Sequence, residues 1–248
     1  MPILILLRHG ESEWNKTAQF TGWVDVGLTP LGRDEARHAG KLLREFAHQP
    51  DIVHTSRLRR TIESANIALL EADRAWIDVQ RSWRLNERHY GNLQGKSKKQ
   101  VAQEMGYARF IECRRAFDNC PEPIEPTSEF SQVGDPKYRS MREDCIPLTE
   151  SLKTMMERLV PYWEDHIAQN LANGKTVLVV GHGNSLRGLV KHLERLSEAQ
   201  VLSLNIPTGI PFVYELDEHL VPVKPHYYLD VDAATAGAHR VANQGIWM

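Results

Sequence analysis

The sequence predicts an α/β fold in three layers, one mostly parallel sheet between helices, with an inserted cap region and a C-terminal tail. Three observations carry that expectation. The apolar runs Ile3-Leu4-Ile5-Leu6-Leu7 and Thr176-Val177-Leu178-Val179-Val180 are short and end abruptly in a charged residue or a glycine, as strands buried on both faces do. Amphipathic helical stretches alternate with such runs along the chain. From about Gly91 to Leu148 the chain turns polar and lacks the apolar periodicity for a core of its own, so it reads as an insertion rather than a separate domain. At 248 residues an α/β unit is commonly one domain. The expected organisation is therefore a single domain over 1–248, with a cap at 91–148 and a tail at 225–248.

Composition narrows the function classes. Hydrophobic residues at 42% and charged residues at 25% suit a globular protein with a full core. A formal net charge of −2 argues against nucleic acid or a membrane surface as partner, because both need a strongly basic face. Cys113, Cys120 and Cys145 are three in number and show no C-x-x-C spacing, which indicates neither a disulfide framework nor a zinc site. No apolar run reaches membrane-spanning length, and Met1-Pro2 leads directly into the first strand without a signal-peptide pattern, so a cytoplasmic protein is expected.

Taken in order, the first strand ends in Arg8-His9-Gly10 and is followed by a loop broken by Gly22, Gly27 and Thr29-Pro30. Pro30 opens a helix whose apolar face is Ala36, Ala39, Leu43 and Phe46. Asp51-Ile52-Val53-His54 is a second strand, and Thr55-Ser56 read as caps of a helix burying Leu58, Ile62, Ala65 and Leu69. Arg57, Arg59 and Arg60 crowd its first turn and oppose the helix dipole unless an anion lies nearby. Arg57 and Arg59 read as solvated surface, leaving Arg60 as the one to meet that anion.

Ile77-Asp78-Val79 is a third strand. Within the insertion, Phe110, Cys113 and Phe117 mark a helix that also carries Arg114-Arg115. Leu152, Met156, Leu159, Trp163 and Ile167 form the core stripe of a long helix, which Pro161 should kink. The second buried strand then delivers Gly181-His182-Gly183, followed by a helix with Leu186, Leu189, Val190 and Leu193 inward. Ser197-x-x-Gln200 is a capping box for a short helix, Phe212–Leu216 is a strand, and an Ala-rich tail closes the chain.

Ligands of open α/β sheets bind beyond the C-terminal ends of the strands, which is where His9 is expected. An imidazole is largely neutral at physiological pH and can act as a nucleophile, while the adjacent Arg8 guanidinium suits a phosphate. Ser12 and Asn15 are small donors within reach of the same point. Attack by His9 on phosphorus is the chemical reading; a polar strand cap bonded to backbone is the alternative for an Arg-His-Gly taken alone.

Taken together, Leu7-Arg8-His9-Gly10-Glu11-Ser12 and Gly181-His182-Gly183 resemble the histidine phosphatase superfamily. Glu13-Trp14-Asn15, Phe20-Thr21-Gly22-Trp23, Leu85-Asn86-Glu87-Arg88-His89-Tyr90-Gly91, His182–Arg187 and Asn205-Ile206-Pro207-Thr208-Gly209 resemble its cofactor-dependent phosphoglycerate mutase family over nearly the whole chain. The resemblance implies a phosphoglycerate mutase-like fold with the tail over the site. It also implies interconversion of 3-phosphoglycerate and 2-phosphoglycerate in glycolysis and gluconeogenesis, primed by 2,3-bisphosphoglycerate without a metal.

By the same resemblance His9 carries the phosphoryl group, Glu87 serves as acid and base for the substrate hydroxyl, and His182, Arg8 and Arg60 stabilise the phosphoryl group in flight. Substrate binding falls to Arg8, Ser12, Asn15, Thr21, Gly22, Arg60, Glu87, Tyr90, Lys98, Arg114, Arg115, Gly183 and Asn184. A surface ion pair with Arg88 is the alternative for Glu87, and Arg187 is equally readable as structural. A homodimer or homotetramer is implied. The chain departs from the family pattern at Cys113 and Ala116, which flank the arginine pair, at Thr61 where alanine is common, and at its Gly245-Ile246-Trp247-Met248 end.

A phosphatase of the same superfamily, handing the phosphoryl group to water, is the nearest rival; the arginine pair and the tail disfavour it. A bisphosphoglycerate synthase is a closer variant. A metal hydrolase would need further ligands at suitable spacing around His9 and His182. A binding module without catalysis would have no need to keep His9, Glu87 and His182.

Overall fold

The structure, a computed structural model, describes residues 1–243. The Gly245–Met248 departure lies outside the described residues. One sheet runs β3-β2-β4-β1-β5-β6, made of β1 (Ile3–Arg8), β2 (Ile52–Thr55), β3 (Asp78–Arg81), β4 (Val177–Gly181), β5 (Phe212–Glu215) and β6 (Tyr227–Tyr228). β1, β4, β2 and β3 pair in parallel, while β5 and β6 add an antiparallel edge. Arg8 pairs with Gly181. That register brings the residues that follow, His9 and His182, side by side at the C-terminal edge.

The helices are α1 (Glu13–Lys16), α2 (Pro30–Glu45), α3 (Arg59–Glu71), α4 (Lys98–Met105), α5 (Tyr107–Arg115), α6 (Leu152–Tyr162), α7 (Ala168–Ala172), α8 (Gly183–Glu194), α9 (Glu198–Ser203) and α10 (Val231–Asn243). Because strand side chains alternate, β1 feeds two cores. Leu4 and Leu6 pack with Leu152, Leu159, Leu186 and Leu189 from α6 and α8. Ile3, Ile5 and Leu7 pack with Ala39, Leu43, Ala65 and Leu69 from α2 and α3. The sheet thus lies between two helical layers, and truncating any of these β1 leucines to alanine costs about 2–5 kcal/mol.

Several elements differ from the sequence reading. Ser56 does not cap α3: the N-cap position is Leu58, with no side-chain bond, and Asp25 Oδ1 accepts the Arg59 N–H instead. The anion that the arginine-rich first turn calls for is supplied from a distant loop. Arg59 is exposed, but Arg57 is half-buried and donates to the Lys137 carbonyl at 2.6 Å. Phe117 lies beyond the end of α5.

Met155, not Met156, is the fully buried methionine of α6. After Pro161 the helix continues through a π-helical turn, Trp163–Ile167, into α7. A proline lacks the N–H to close the regular ladder, and a π turn accommodates the break. β6 had no apolar run long enough to announce it. In the cap, Leu93, Val101 and Phe110 pack around Phe20 from the loop after α1, which moors α4 and α5 above the strand ends.

Candidate active site

β1 hands His9 to the sheet edge almost fully buried, with its N–H donating to the Gly181 carbonyl at 3.1 Å. Nδ1 lies 2.7 Å from the Gly10 carbonyl, an oxygen that can only accept, so Nδ1 carries the hydrogen and Nε2 keeps the lone pair. Burial first, and then the Arg60 and Arg8 guanidinium groups, push the imidazole well below its ordinary value. The ring is therefore neutral and oriented for nucleophilic use. Gly10 packs so tightly on Gly32 that an added Cβ would sit 2.1 Å from the Gly32 oxygen. No larger residue keeps the His9 backbone in place.

His182 reaches the same edge from β4, fully buried, its ring centroid 5.1 Å from that of His9. Nε2 lies 2.8 Å from Ser56 Oγ, whereas Nδ1 is buried with no hydrogen-bond partner among the described residues. A buried orphan polar atom costs about 1–3 kcal/mol, which a bound oxygen would recover. Burial, then Arg60 and His9, lower its basicity strongly.

Arg60 is buried at the start of α3, where it donates to the Val24 and Gly22 carbonyls at 2.9 and 2.8 Å. Gly22 takes a positive φ of 55° that favours glycine, and a Cβ there would strike the Gln94 amide at 2.1 Å. Arg8 donates to the Ile206 carbonyl at 2.7 Å and leaves Nε without a partner among the described residues.

Glu87 Oε1 accepts the N–H groups of Arg88 at 2.7 Å and of Asn184 at 3.1 Å. The Arg88 guanidinium turns away: it donates to the Cys113 and Arg114 carbonyls and stacks over Tyr90. Asn184 in turn donates from Nδ2 to the Tyr90 hydroxyl at 2.9 Å and accepts from Arg187 at 2.8 Å. The loop carrying Glu87 is clamped by Arg158, a residue that carries no motif in the sequence. Its guanidinium pairs with buried Glu150 and donates to the Arg84, Asn86 and Glu87 carbonyls. Removing one partner of that buried pair costs about 3–5 kcal/mol.

These groups enclose one cavity. It is lined by Arg8, His9, Asn15, Thr21, Gly22, Arg60, Glu87, Tyr90, Lys98, Arg114, Arg115, Gly183 and Asn184, all singled out in the sequence. His182 stands just behind the lining. Ser12 is not among the lining residues; it is fully buried, and its hydroxyl accepts the Asn15 N–H as the cap of α1. Sequence reasoning missed Gln19, Leu204 and Val241, and left Arg187 open. Phe20, Asn205 and Ile206 sat in recognised motifs without an assigned role; Gln19 and Val241 carry no local signal.

Charge defines the cavity. Among the described lining residues are Arg8, Arg60, Lys98, Arg114, Arg115 and Arg187 against a single carboxylate, Glu87. Burial, reinforced by like-charged neighbours, lowers Lys98 well below its ordinary value, Arg114 to about 10 and Arg187 to about 9. Only an anionic ligand relieves such crowding. Among the described residues no group of three or more His, Cys, Asp or Glu is placed to hold a metal ion.

A model of the histidine phosphatase superfamily, branch 1, matches residues 4–135 and 126–219. The chain belongs to that superfamily and, within it, to the phosphoglycerate mutase family. It is 58% identical over 245 residues to phosphoglycerate mutase 1 of Saccharomyces cerevisiae, covering 99% of each chain. It is 57% identical over 242 residues to the 2,3-bisphosphoglycerate-dependent phosphoglycerate mutase of Nocardia farcinica, covering 98% of each. Among solved structures, a mycobacterial glucosyl-3-phosphoglycerate phosphatase superposes with a TM-score of 0.70 at 21% identity, over 92% of this chain and 97% of that one. The phosphoglycerate mutase of Bacillus anthracis superposes with a TM-score of 0.66 at 18% identity, over 95% and 96%. Both show the shared fold.

Proposed function

We propose that the protein interconverts 3-phosphoglycerate and 2-phosphoglycerate through a phosphorylated His9, as part of glycolysis and gluconeogenesis. The observation that carries this reading is a neutral His9, fixed with Nε2 as nucleophile, on a cavity whose described lining residues include six cationic side chains and one carboxylate. The partnerless Nε of Arg8 on the cavity and Nδ1 of His182 behind it fit a phosphoryl group, and the cavity's further cations fit a second anionic group on the same molecule. A bisphosphate such as 2,3-bisphosphoglycerate suits both, and it supplies the phosphoryl group that first charges His9.

In transfer to substrate, the hydroxyl oxygen forms its bond to phosphorus as the His9 Nε2–P bond breaks, and Glu87 takes the hydroxyl proton. In the return transfer Nε2 attacks phosphorus on the other carbon's oxygen, that P–O bond breaks, and Glu87 gives its proton to the departing oxygen. Charge on the phosphoryl oxygens is met by Arg8, Arg60 and His182, where positioned donors supply most of the rate enhancement. Arg114, Arg115 and Lys98, delivered by α5 and α4, hold the substrate's second anionic end. Asn15, Thr21, Gly22, Tyr90, Gly183 and Asn184 shape the remaining wall. Ser12 caps α1, the turn that presents Asn15, and keeps its own hydrogen for an anionic oxygen.

No helix among the described residues is long and apolar enough to cross a membrane. A cytoplasmic site of action and a homodimer or homotetramer complete the reading, supported by the substrate chemistry and family membership. The test measures conversion of 3-phosphoglycerate with and without trace 2,3-bisphosphoglycerate while following free phosphate. Fast isomerisation that depends on the bisphosphate, abolished in His9→Ala, is expected. Phosphate release without isomerisation would replace the mutase reading by a phosphatase.

A further inference from the structure

Ser56 and Thr61 form a two-hydroxyl chain behind His182, and its proton inventory is restrictive. Ser56 Oγ lies 2.8 Å from His182 Nε2, 2.6 Å from Thr61 Oγ1 and 3.0 Å from the Leu58 nitrogen; Thr61 Oγ1 lies 2.9 Å from the Leu58 carbonyl. Ser56, Thr61 and His182 are all fully buried.

A hydroxyl has one hydrogen and two acceptor sites. The Leu58 N–H occupies one acceptor site of Ser56, leaving one hydrogen and one acceptor site for the two remaining neighbours. Two arrangements place these hydrogens, and only the second also makes the Thr61–Leu58 carbonyl bond. In one, Thr61 donates to Ser56 and Ser56 donates to Nε2, so a neutral His182 carries its hydrogen on Nδ1. In the other, Nε2–H donates to Ser56, Ser56 donates to Thr61, and Thr61 donates to the Leu58 carbonyl.

The second arrangement is what a doubly protonated His182 requires, because its Nε2 can then only donate. It works only if Ser56 has somewhere to send its own hydrogen, and Thr61 Oγ1 is that acceptor. An alanine at position 61 would leave the Ser56 hydrogen aimed at Nε2 and oppose protonation.

We propose that Thr61 is a positioning residue that, through Ser56, lets His182 hold a second proton while a phosphoryl group sits between His182 and His9. The inference rests on the phosphohistidine reading above. Arg60, His9, Arg158 and Arg8 also bear on His182, and each works against its protonation. The hydroxyl chain and the incoming phosphoryl oxygens are the two features that favour it.

The test compares wild type, Thr61→Val and Thr61→Ser, with orthovanadate as the phosphoryl mimic. Nitrogen-15 NMR of the His182 ring in the vanadate complex reads protonation directly, and pH profiles of kcat read it in turnover. Wild type and Thr61→Ser should show both ring nitrogens protonated at neutral pH. In Thr61→Val, which matches threonine in shape, the loss of the second proton should move about one pH unit toward acid. kcat at neutral pH should fall roughly three- to tenfold with KM within twofold, as expected for one hydrogen bond lost from an activated state. Unchanged ring protonation in a folded Thr61→Val, or failure of Thr61→Ser to restore it, overturns the inference. Because vanadate and NMR need no turnover, that result differs from failure of the mutase assay, which would overturn the underlying reading instead.

Discussion

The Asn184 N–H donates to Glu87 Oε1 at 3.1 Å, joining the first turn of the helix after His182 to the loop that carries the one carboxylate among the cavity's described lining residues. Two segments 97 positions apart in the chain thereby share a single proton-handling site. A glutamine at 87 can still accept from Asn184 and Arg88 through its carbonyl oxygen, but it cannot exchange a proton with a substrate hydroxyl. Glu87→Gln should therefore fold normally, melt within about 1–2 °C of wild type, and lose 10²–10⁴-fold in kcat, the range typical of general acid–base groups. Steady-state kinetics and a thermal melt check this, and near-wild-type kcat would remove Glu87 from the mechanism.

Arg115 separates binding from chemistry. It sits at the end of α5, donating to Asn205 Oδ1 at 2.6 Å and to the Leu202 carbonyl, and it lines the cavity. If it holds the anionic end of the substrate remote from the transferred phosphoryl group, Arg115→Gln loses one charge-assisted hydrogen bond. KM should rise about 10- to 100-fold with kcat changed far less. The KM effect should shrink as salt is added, because screening weakens the interaction in wild type as well.

How legible this was in the sequence follows from how local each signal is. β1 and β4 are continuous apolar runs, so their burial on both faces and the position of His9 and His182 at their ends were readable. β6 is two residues long and exists because Phe212 and Val213 offer it an edge, a tertiary cause with no local pattern. Arg8, Arg60, Glu87 and the arginine pair lay in recognisable motifs. Arg158 lay in an ordinary amphipathic helix, and only the folded chain shows its guanidinium gathering the Glu87 loop.

Ser56 shows how a right residue type can carry a wrong role. Serine before a helix is a sound cap signal. Here the chain turns two residues later than that signal implies, and the hydroxyl faces His182 instead. Ser12, read as a substrate donor, has in addition the role of capping α1, where its hydroxyl accepts the Asn15 N–H.

Stability should fall on acidification for a reason set inside β2. His54 is fully buried, with Nδ1 2.9 Å from the Tyr162 hydroxyl and Nε2 3.3 Å from Asn170 Nδ2. The asparagine amide can only donate, so Nε2 accepts, Nδ1 carries the hydrogen, and the ring is held neutral. Burial, with His166 and Lys175 adding to it, lowers His54 to about 4 from an ordinary 6.5. Below pH 6.5 the unfolded chain takes up a proton that the folded chain refuses. Stability therefore declines as pH falls from 6.5 to about 4 and levels off below that, by roughly 3 kcal/mol at most for this one group. His89, lowered to about 4 by burial, adds a slope of the same sign. His54→Gln can keep a bond to Tyr162 while removing the titration. Urea unfolding midpoints measured from pH 7 to pH 4.5 should drop less steeply in that variant than in wild type. Equal slopes would show that His54 takes its proton in the folded state and that the acid sensitivity arises at other histidines.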